Sequence, residues 1–193
     1  AITVDPDYHL WVYAGSGDKT NPTAPNAQER FYAIKDTDFT TTYTVGDLLN
    51  LGASGVYDPN DPGAKNGWYI NFSGSEKVLA EPVVYGGHVY FTTYLPNKGG
   101  SDPCNASGEA LVYNLDYISG RGLWEGGSRS VSLGAGSGVA SSVVVSVSPT
   151  GDVNLYVSTS VAQSGGQHVP VLSDTTLPPH SNTLIFWHDQ RIQ

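Results

Sequence analysis

Short β-prone runs, each closed by turn-forming residues, recur along almost the whole chain and leave little room for helices. The runs are rich in aromatic and β-branched residues, which is typical of strands; examples are YHLWVYAG at 8–15, ERFYAIKD at 29–36 and SSVVVSVS at 141–148. Clusters of Gly, Pro, Asn and Asp between these runs favour turns. The sequence therefore predicts an all-β protein of about ten strands, nearly all of them antiparallel.

Some local features make this prediction more specific. The pair Gly86-Gly87 predicts a tight hairpin, because both positions tolerate a positive φ. Residues 40–45, TTTYTV, are predicted to form a further strand. The stretch GDLLNLG at 46–52 has a short helical pattern that ends on a glycine. His88, which follows the hairpin turn, is expected to face solvent.

Weak internal repetition predicts how the strands are organised. A tyrosine-containing strand that ends on aspartate occurs as FYAIKD at 31–36 and again as VYNLD at 112–116. Repetition at intervals of about fifty to sixty residues indicates successive small antiparallel sheets, which a β-propeller arranges radially. We expect three such blades, at 8–66, 67–126 and 127–193.

Three blades are too few to close a ring, since propellers usually have about four or more. The expected architecture is therefore part of a β-propeller, completed by another polypeptide or by an N-terminal part that this sequence lacks. A β-sandwich or jelly roll is the alternative that the pattern alone leaves open.

Charge and composition exclude several classes of function. The 193 residues carry 9 Lys and Arg against 18 Asp and Glu, a net charge of −9. Phosphate binding needs clustered basic residues, so nucleic acid and anionic membrane surfaces are not expected as partners. No run approaches the roughly 18 apolar residues that insert into a bilayer. Abundant Gly, Ser and Thr with few Lys favour a secreted bacterial protein, and the opening AITVDPDYH fits a processed N-terminus.

Four motifs in a fixed order carry a resemblance to a known family. They are residues 11–36, residues 67–96, residues 102–120 and the closing stretch LIFWHDQ at 184–190. In order and spacing they resemble the C-terminal β-propeller of the PilY/PilC family, which comprises large exported proteins associated with type IV pili. The resemblance implies a non-enzymatic, quinoprotein-like propeller at the pilus tip or cell surface. Its role would lie in pilus biogenesis, retraction control and adhesion, through contacts with pilus components.

The stretch LDYISGRGLW resembles a second, architectural motif, the docking motif of quinoprotein dehydrogenase blades. Its positions are Asp116, Gly120 and Trp124. In such a motif an indole covers the neighbouring blade while its N–H donates to a backbone acceptor. The chain departs from the family in two respects: family members are far longer, and their calcium loop has no recognisable counterpart here.

Calcium is the one cofactor that the residues suggest, although we expect no cofactor. The loop YDPNDPGAKNG offers Asp58, Asn60 and Asp61, whose oxygen ligands suit a hard cation. Two prolines interrupt the spacing and the distal glutamate is missing, and Asp, Asn and Pro are ordinary turn formers. Asp5 and Asp7 form a second, weaker acidic pair.

Histidines, the cysteine and the serines provide no catalytic motif. The five histidines lie in five separate segments without the spacing of a zinc site. Cys104 has no second cysteine in the chain, so it is either an interchain thiol or a free one. The sequence has neither a nucleophile elbow nor a phosphate loop, and it predicts no catalytic residue.

Aromatic residues allow an alternative function. The tryptophans are expected in the core or at blade contacts, and they are Trp11, Trp68, Trp124 and Trp187. Tyr90 and Tyr94 share one face of their strand, which is either core or interface. Because exposed aromatic side chains stack on sugars, a secreted carbohydrate-binding β domain is the alternative, and a fragment of a quinoprotein oxidoreductase is a third.

Overall fold

The computed structural model describes residues 1–25, 28–38, 40–96, 108–149 and 151–161, and the backbone of 171–174. Within these ranges the chain forms thirteen strands in three sheets. The strand pairs in these ranges are antiparallel, apart from one short parallel pair. The expected all-β class is therefore confirmed. In the described part of the chain two single 3-10 turns, Val45–Asp47 and Glu125–Gly127, lie between strands.

In the described ranges, no helix has the length and apolar character that crossing a membrane requires.

The first sheet is built from five strands in the first 71 residues. They are β1 Ile2–Val4, β2 Leu10–Gly15, β3 Arg30–Asp36, β4 Leu49–Asn50 and β5 Gly67–Asn71. Their spatial order is β1-β2-β3-β5-β4. Alternate residues of a strand point to opposite faces, and one face of this sheet carries the fully buried rings of Trp11, Phe31 and Trp68. This two-residue period of large apolar side chains favours strands over helices.

The second sheet follows directly in the chain. Its strands are β6 Lys77–Val78, β7 Val83–Tyr85, β8 His88–Leu95, β9 Glu109–Asp116 and β10 Ser130–Ala135. Their order is β10-β9-β8-β6, and β7 also pairs with β8. The β7–β8 hairpin turns at Gly86 and Gly87, whose φ values are 60° and 85°. Positive φ at both central positions is the geometry of a tight two-residue turn, so the predicted hairpin is confirmed.

A third sheet contains β11 Val144–Val147, β12 Val153–Tyr156 and β13 Val171–Asp174, with β12 in the middle. Both pairs of strands in it are antiparallel.

The three sheets are stacked face to face, with one apolar layer between each neighbouring pair. In the first layer Phe91 stacks between two rings, with centroids 3.8 Å from Phe31 and 4.5 Å from Tyr113. The second layer joins the second and third sheets through Tyr90, Ala110, Val112, Val153 and Leu155. Because the second sheet is covered on both faces, seven consecutive residues of β8 are buried. The sequence of a strand that is buried on both faces does not alternate between apolar and polar residues.

Two local expectations are wrong, one because of side-chain hydrogen bonds and the other because of strand pairing. Residues 40–45 do not form a strand. Asp38 Oδ1 accepts from the backbone N and the Oγ1 of Thr40, at 3.0 and 2.7 Å, and such local bonds compete with a strand ladder. The stretch 46–52 is not an α-helix, because the chain becomes extended at Leu48, with φ −112° and ψ 149°, directly after the single 3-10 turn Val45–Asp47. The chain then pairs with β5 through β4.

The expectation that His88 faces solvent is also wrong. Its side chain is buried, stacks on Tyr90 with centroids 5.6 Å apart, and places Nδ1 2.8 Å from Asn114 Oδ1. The third sheet lies over the face of the second sheet to which Tyr90 belongs, and a local pattern does not reveal that cover.

The limits of the sheets differ from the limits expected for blades. β5, expected to open the second unit at residue 67, pairs with β3 of the first sheet. β10, expected in the unit that begins at 127, pairs with β9 of the second sheet. The physical reason is the same in both cases. β5 and β10 are each separated from the strand they pair with by a long connection, and pairing over such a distance leaves no local pattern in the sequence.

Candidate functional site

The turn that follows β9 is held by the first sheet. Asp116 Oδ1 shapes the turn by accepting from Ser119 N and Oγ at 2.7 Å each. Two first-sheet side chains donate to backbone oxygens of this turn: Trp68 Nε1 to Ile118 at 2.7 Å and Tyr13 Oη to Tyr117 at 2.8 Å. The turn therefore fastens the second sheet to the first.

Gly120 lies at the point of closest approach in this turn. Its φ is +67°, and a Cβ there would lie 2.4 Å from Leu51 Cδ1 and 3.0 Å from the Trp68 ring. A side chain is therefore disfavoured twice, by backbone conformation and by contact with the first sheet. Asp116 and Gly120 thus belong to one turn at the boundary between the first two sheets.

Trp124, the third residue of the predicted docking set, lies on the opposite side of the second sheet. Its Nε1 donates to Val112 O at 3.0 Å, and its ring packs against the second apolar layer. The sequence motif thus spans both sheet boundaries and does not form one cluster. Sequence reasoning assigned Trp68 only to a core or contact position and did not foresee its partner, which lies 50 residues away in the chain.

Arg129 reinforces the first boundary and was not anticipated from the sequence. Its guanidinium donates to three carbonyl oxygens: Gly120 at 3.0 Å, Gly52 at 2.7 Å, and Gly55. Gly52 and Gly55 belong to the loop after β4, so the side chain joins both sheets. Burial lowers the pKa of this guanidinium from its ordinary high value. Gly55 and Gly52 lie 74 and 77 positions from Arg129 in the chain, so no local sequence motif predicts these contacts.

The residues predicted for calcium are exposed and make turn contacts. Asp58 Oδ1 accepts from Asn60 N at 2.9 Å, and Asp61 Oδ1 accepts from Gly63 N at 2.8 Å. These bonds are those of ordinary Asx turns. The calcium hypothesis stays a prediction, as does the interchain role of Cys104, which lies outside the described residues.

A compact group of possible metal ligands is formed by Asp5, Asp7 and His9, whose ligand atoms lie within 4.8 Å of one another. The buried carboxylate of Asp5 already accepts from Trp11 Nε1 at 3.0 Å and from His9 N at 2.8 Å. Although burial alone would raise the pKa of Asp5, these hydrogen bonds hold that pKa below its usual value. The group therefore acts as a turn that anchors the Trp11 ring.

The outer face of the first sheet, opposite the second sheet, carries apolar side chains that are exposed at its edge and half-buried elsewhere. Paired residues and residues two apart share a face, and the registers Ile2↔Val12, Val4↔Leu10 and Val12↔Ile34 join the aliphatic side chains across three strands. With the neighbouring tyrosines this outer face comprises Ile2, Val4, Leu10, Val12, Tyr32, Ile34 and Tyr69. Ile2 is 67% exposed and Val4 51%, so the side chains at its edge remain uncovered.

The opposite end of the stack also exposes apolar side chains. Val144 and Tyr156 pair directly across β11 and β12, and Val144 is 60% exposed while the adjacent Leu155 is fully buried. Both terminal faces of the stack therefore carry apolar residues of the kind that the inner faces bury. Contiguous exposed apolar surface of this type marks interaction sites.

Comparison with known proteins gives the class of fold first. The structure is similar to the C-terminal domain of Pseudomonas aeruginosa PilY1, with a TM-score of 0.62, 16% sequence identity, and coverage of 94% of this chain and 44% of that domain. The fold is therefore that of a PilY1-type C-terminal domain, of which the chain spans less than half.

Sequence comparison then gives a particular relative. Over 95 residues the chain is 35% identical to a type IV pilus biogenesis factor PilY1 homolog of Xylella fastidiosa; this segment is 46% of the chain and 6% of the relative. No family model matches the chain. The resemblance to PilY/PilC-type pilus-associated proteins, expected from the sequence motifs, is confirmed by the two similarities.

Proposed function

We propose that this chain is part of a non-enzymatic, type IV pilus-associated protein at the bacterial cell surface, acting in pilus biogenesis and adhesion through contacts with other polypeptides. The observation that carries the proposal is the stacked-sheet fold shared with the PilY1 C-terminal domain. The 35% identical relative supports it, because that protein is named as a pilus biogenesis factor.

We infer that the three sheets are successive blades of a quinoprotein-like partial propeller. Their face-to-face packing, with an apolar layer at each boundary, supports this inference. Within it, Asp116 and Gly120 dock the second blade on the first, and Trp124 covers the boundary to the third. The turn geometry and the indole hydrogen bond described above support these proposed roles.

The partner that this architecture requires is a further antiparallel sheet, supplied by another polypeptide segment or a pilus component. The outer face supports this role, because an exposed apolar sheet face is stabilised when a second sheet covers it. The required sheet has an alternating pattern whose apolar side chains meet Ile2, Val4 and Val12.

The proposal is tested in the source bacterium by deleting the coding segment of this chain and counting surface pili by electron microscopy. Antibodies against the chain are applied to intact cells of the parent strain. We expect surface labelling of the parent and a marked loss of pili in the deletion strain, restored by the intact segment in trans. Normal piliation of the deletion strain, or labelling only after the cells are opened, would contradict the proposal.

A further inference from the structure

A cleft of about 580 Å³ opens between the first and second sheets. One wall is the loop that contains Gly55, and the end of β5 contributes Ile70 and the adjoining Phe72. The second sheet contributes an acidic residue, Glu76, and two basic residues, Arg121 and Arg129, together with Tyr113. This volume falls within the range of small-molecule sites, about 300–1,000 Å³. The cleft lies apart from the outer face of the first sheet.

Glu76 supplies an acceptor that the protein leaves unused. Its side chain is only 8% exposed, and Oε1 accepts from Thr93 Oγ1 at 2.6 Å and from Tyr113 Oη at 2.8 Å. Oε2 accepts from no donor among the described residues, yet it is not sealed from solvent. Glu76 is one of the residues that line the cleft. A ligand that donates a hydrogen bond would pair with this carboxylate oxygen.

Two guanidinium groups supply unused donors on the same cleft. Arg129 has five N–H groups, and three of them donate to carbonyl oxygens. Arg121 makes no side-chain hydrogen bond or ion pair with any residue that the structure describes. The cleft therefore presents N–H donors and a carboxylate oxygen around an apolar floor that includes Phe72.

We propose that this cleft binds a sugar unit, a neutral ligand whose hydroxyl groups donate to Glu76 Oε2 and accept from Arg121 and Arg129. Each hydroxyl is both a donor and an acceptor, and the apolar face of a pyranose suits the apolar floor. A ligand that is only anionic would meet the Glu76 carboxylate, and a purely cationic one would meet two guanidinium groups. This inference goes beyond the proposed function and does not depend on it.

The test is a nuclear magnetic resonance titration of the full chain labelled with ¹⁵N. The probes are methyl α-mannopyranoside, methyl β-galactopyranoside and N-acetylglucosamine, each raised well above the about 1 mM Kd that a few hydrogen bonds support. We expect saturable shifts of the Arg121 and Arg129 side-chain resonances with at least one sugar. Arg121→Ala should weaken that binding about tenfold, because a hydrogen bond to a charged group is lost.

Arg121 is exposed and without side-chain partners in the described chain, so its replacement tests binding without unfolding the protein. Lys19→Ala, which removes an exposed cation elsewhere, is the matched control and should leave binding unchanged. Glycylglycine is titrated in parallel as a zwitterionic probe. The proposal is overturned if no sugar shifts these resonances, if Arg121→Ala binds as the parent does, or if only glycylglycine binds.

Discussion

At the residue scale, polar side chains stabilise the boundary between the first two sheets and the second sheet beside that boundary. Arg129 joins three carbonyl oxygens from two sheets, and Glu76 is held by Thr93 and Tyr113 within the second sheet. A guanidinium suits the first task because its planar fork offers several donors in fixed directions. These contacts position the cleft walls, so stability and binding are linked at the same residues.

Glu76 should make stability depend on pH. Burial raises the pKa of its carboxyl, although hydrogen bonds from Thr93 and Tyr113 oppose the rise. A carboxyl whose pKa is higher in the folded protein favours folding most when protonated. Its contribution is therefore present below the ordinary pKa and is lost as pH rises through the raised value. We expect Glu76→Gln to gain stability relative to the parent protein as pH rises across that window.

The measurement is urea unfolding of both proteins at about pH 4 and pH 7, compared as differences in the free energy of unfolding. Groups with lowered pKa values, such as Asp5, are present in both proteins and cancel in the difference. Glu125→Gln, at an exposed position, is the matched control for loss of a carboxyl group. A difference between Glu76→Gln and the parent that does not change with pH would contradict the prediction.

At the element scale, the sequence revealed strands and tight turns better than it revealed partners. The β7–β8 hairpin was predictable because two adjacent glycines encode its turn locally. In the stretch 46–52, Leu48 and Leu51 are both buried and have helical spacing. The chain is nevertheless extended from Leu48 onward and pairs with β5. Strand pairing with a partner distant in the chain thus overrode the apolar period.

The turn after β9 provides a prediction at this scale. Gly120→Ala places a Cβ at a φ of +67° and 2.4 Å from Leu51 Cδ1, whereas Gly126 has a similar φ of +70° with no atom within 4 Å. We expect Gly126→Ala to cost about 1 kcal/mol through backbone conformation alone. Gly120→Ala should cost about 1–3 kcal/mol more, because overpacking at the sheet boundary adds to it.

Both costs are obtained from chemical unfolding followed by tryptophan fluorescence. Because both variants place a side chain at a positive φ, the difference between their free energies of unfolding measures the contact between the two sheets. Equal costs would mean that the turn does not press on the first sheet, and the docking role of Gly120 would then fail.

At the scale of the whole molecule, the sequence predicted repeated antiparallel sheets but not which strands each sheet contains. β5 and β10 join sheets across long connections, so their membership depends on pairing between distant residues. The residues that make contacts between the sheets were similarly visible only in part. Asp116, Gly120 and Trp124 stood in a recognisable motif, while Trp68 and Arg129 act through partners that are distant in the chain.

The exposed ends of the stack lead to a prediction about association. An uncovered apolar sheet face favours self-association when its proper partner is missing. We therefore expect the isolated chain to form concentration-dependent oligomers in size-exclusion chromatography with light scattering. Val4→Lys, which places a charge on the outer face, should weaken this association about tenfold or more, because a buried unpaired charge is costly.

Val56 is 51% exposed, as Val4 is, but lies outside that face, so Val56→Lys is the matched control. A parent protein that is monomeric at every concentration, or equal effects of the two lysine variants, would show that the outer face is not a docking surface.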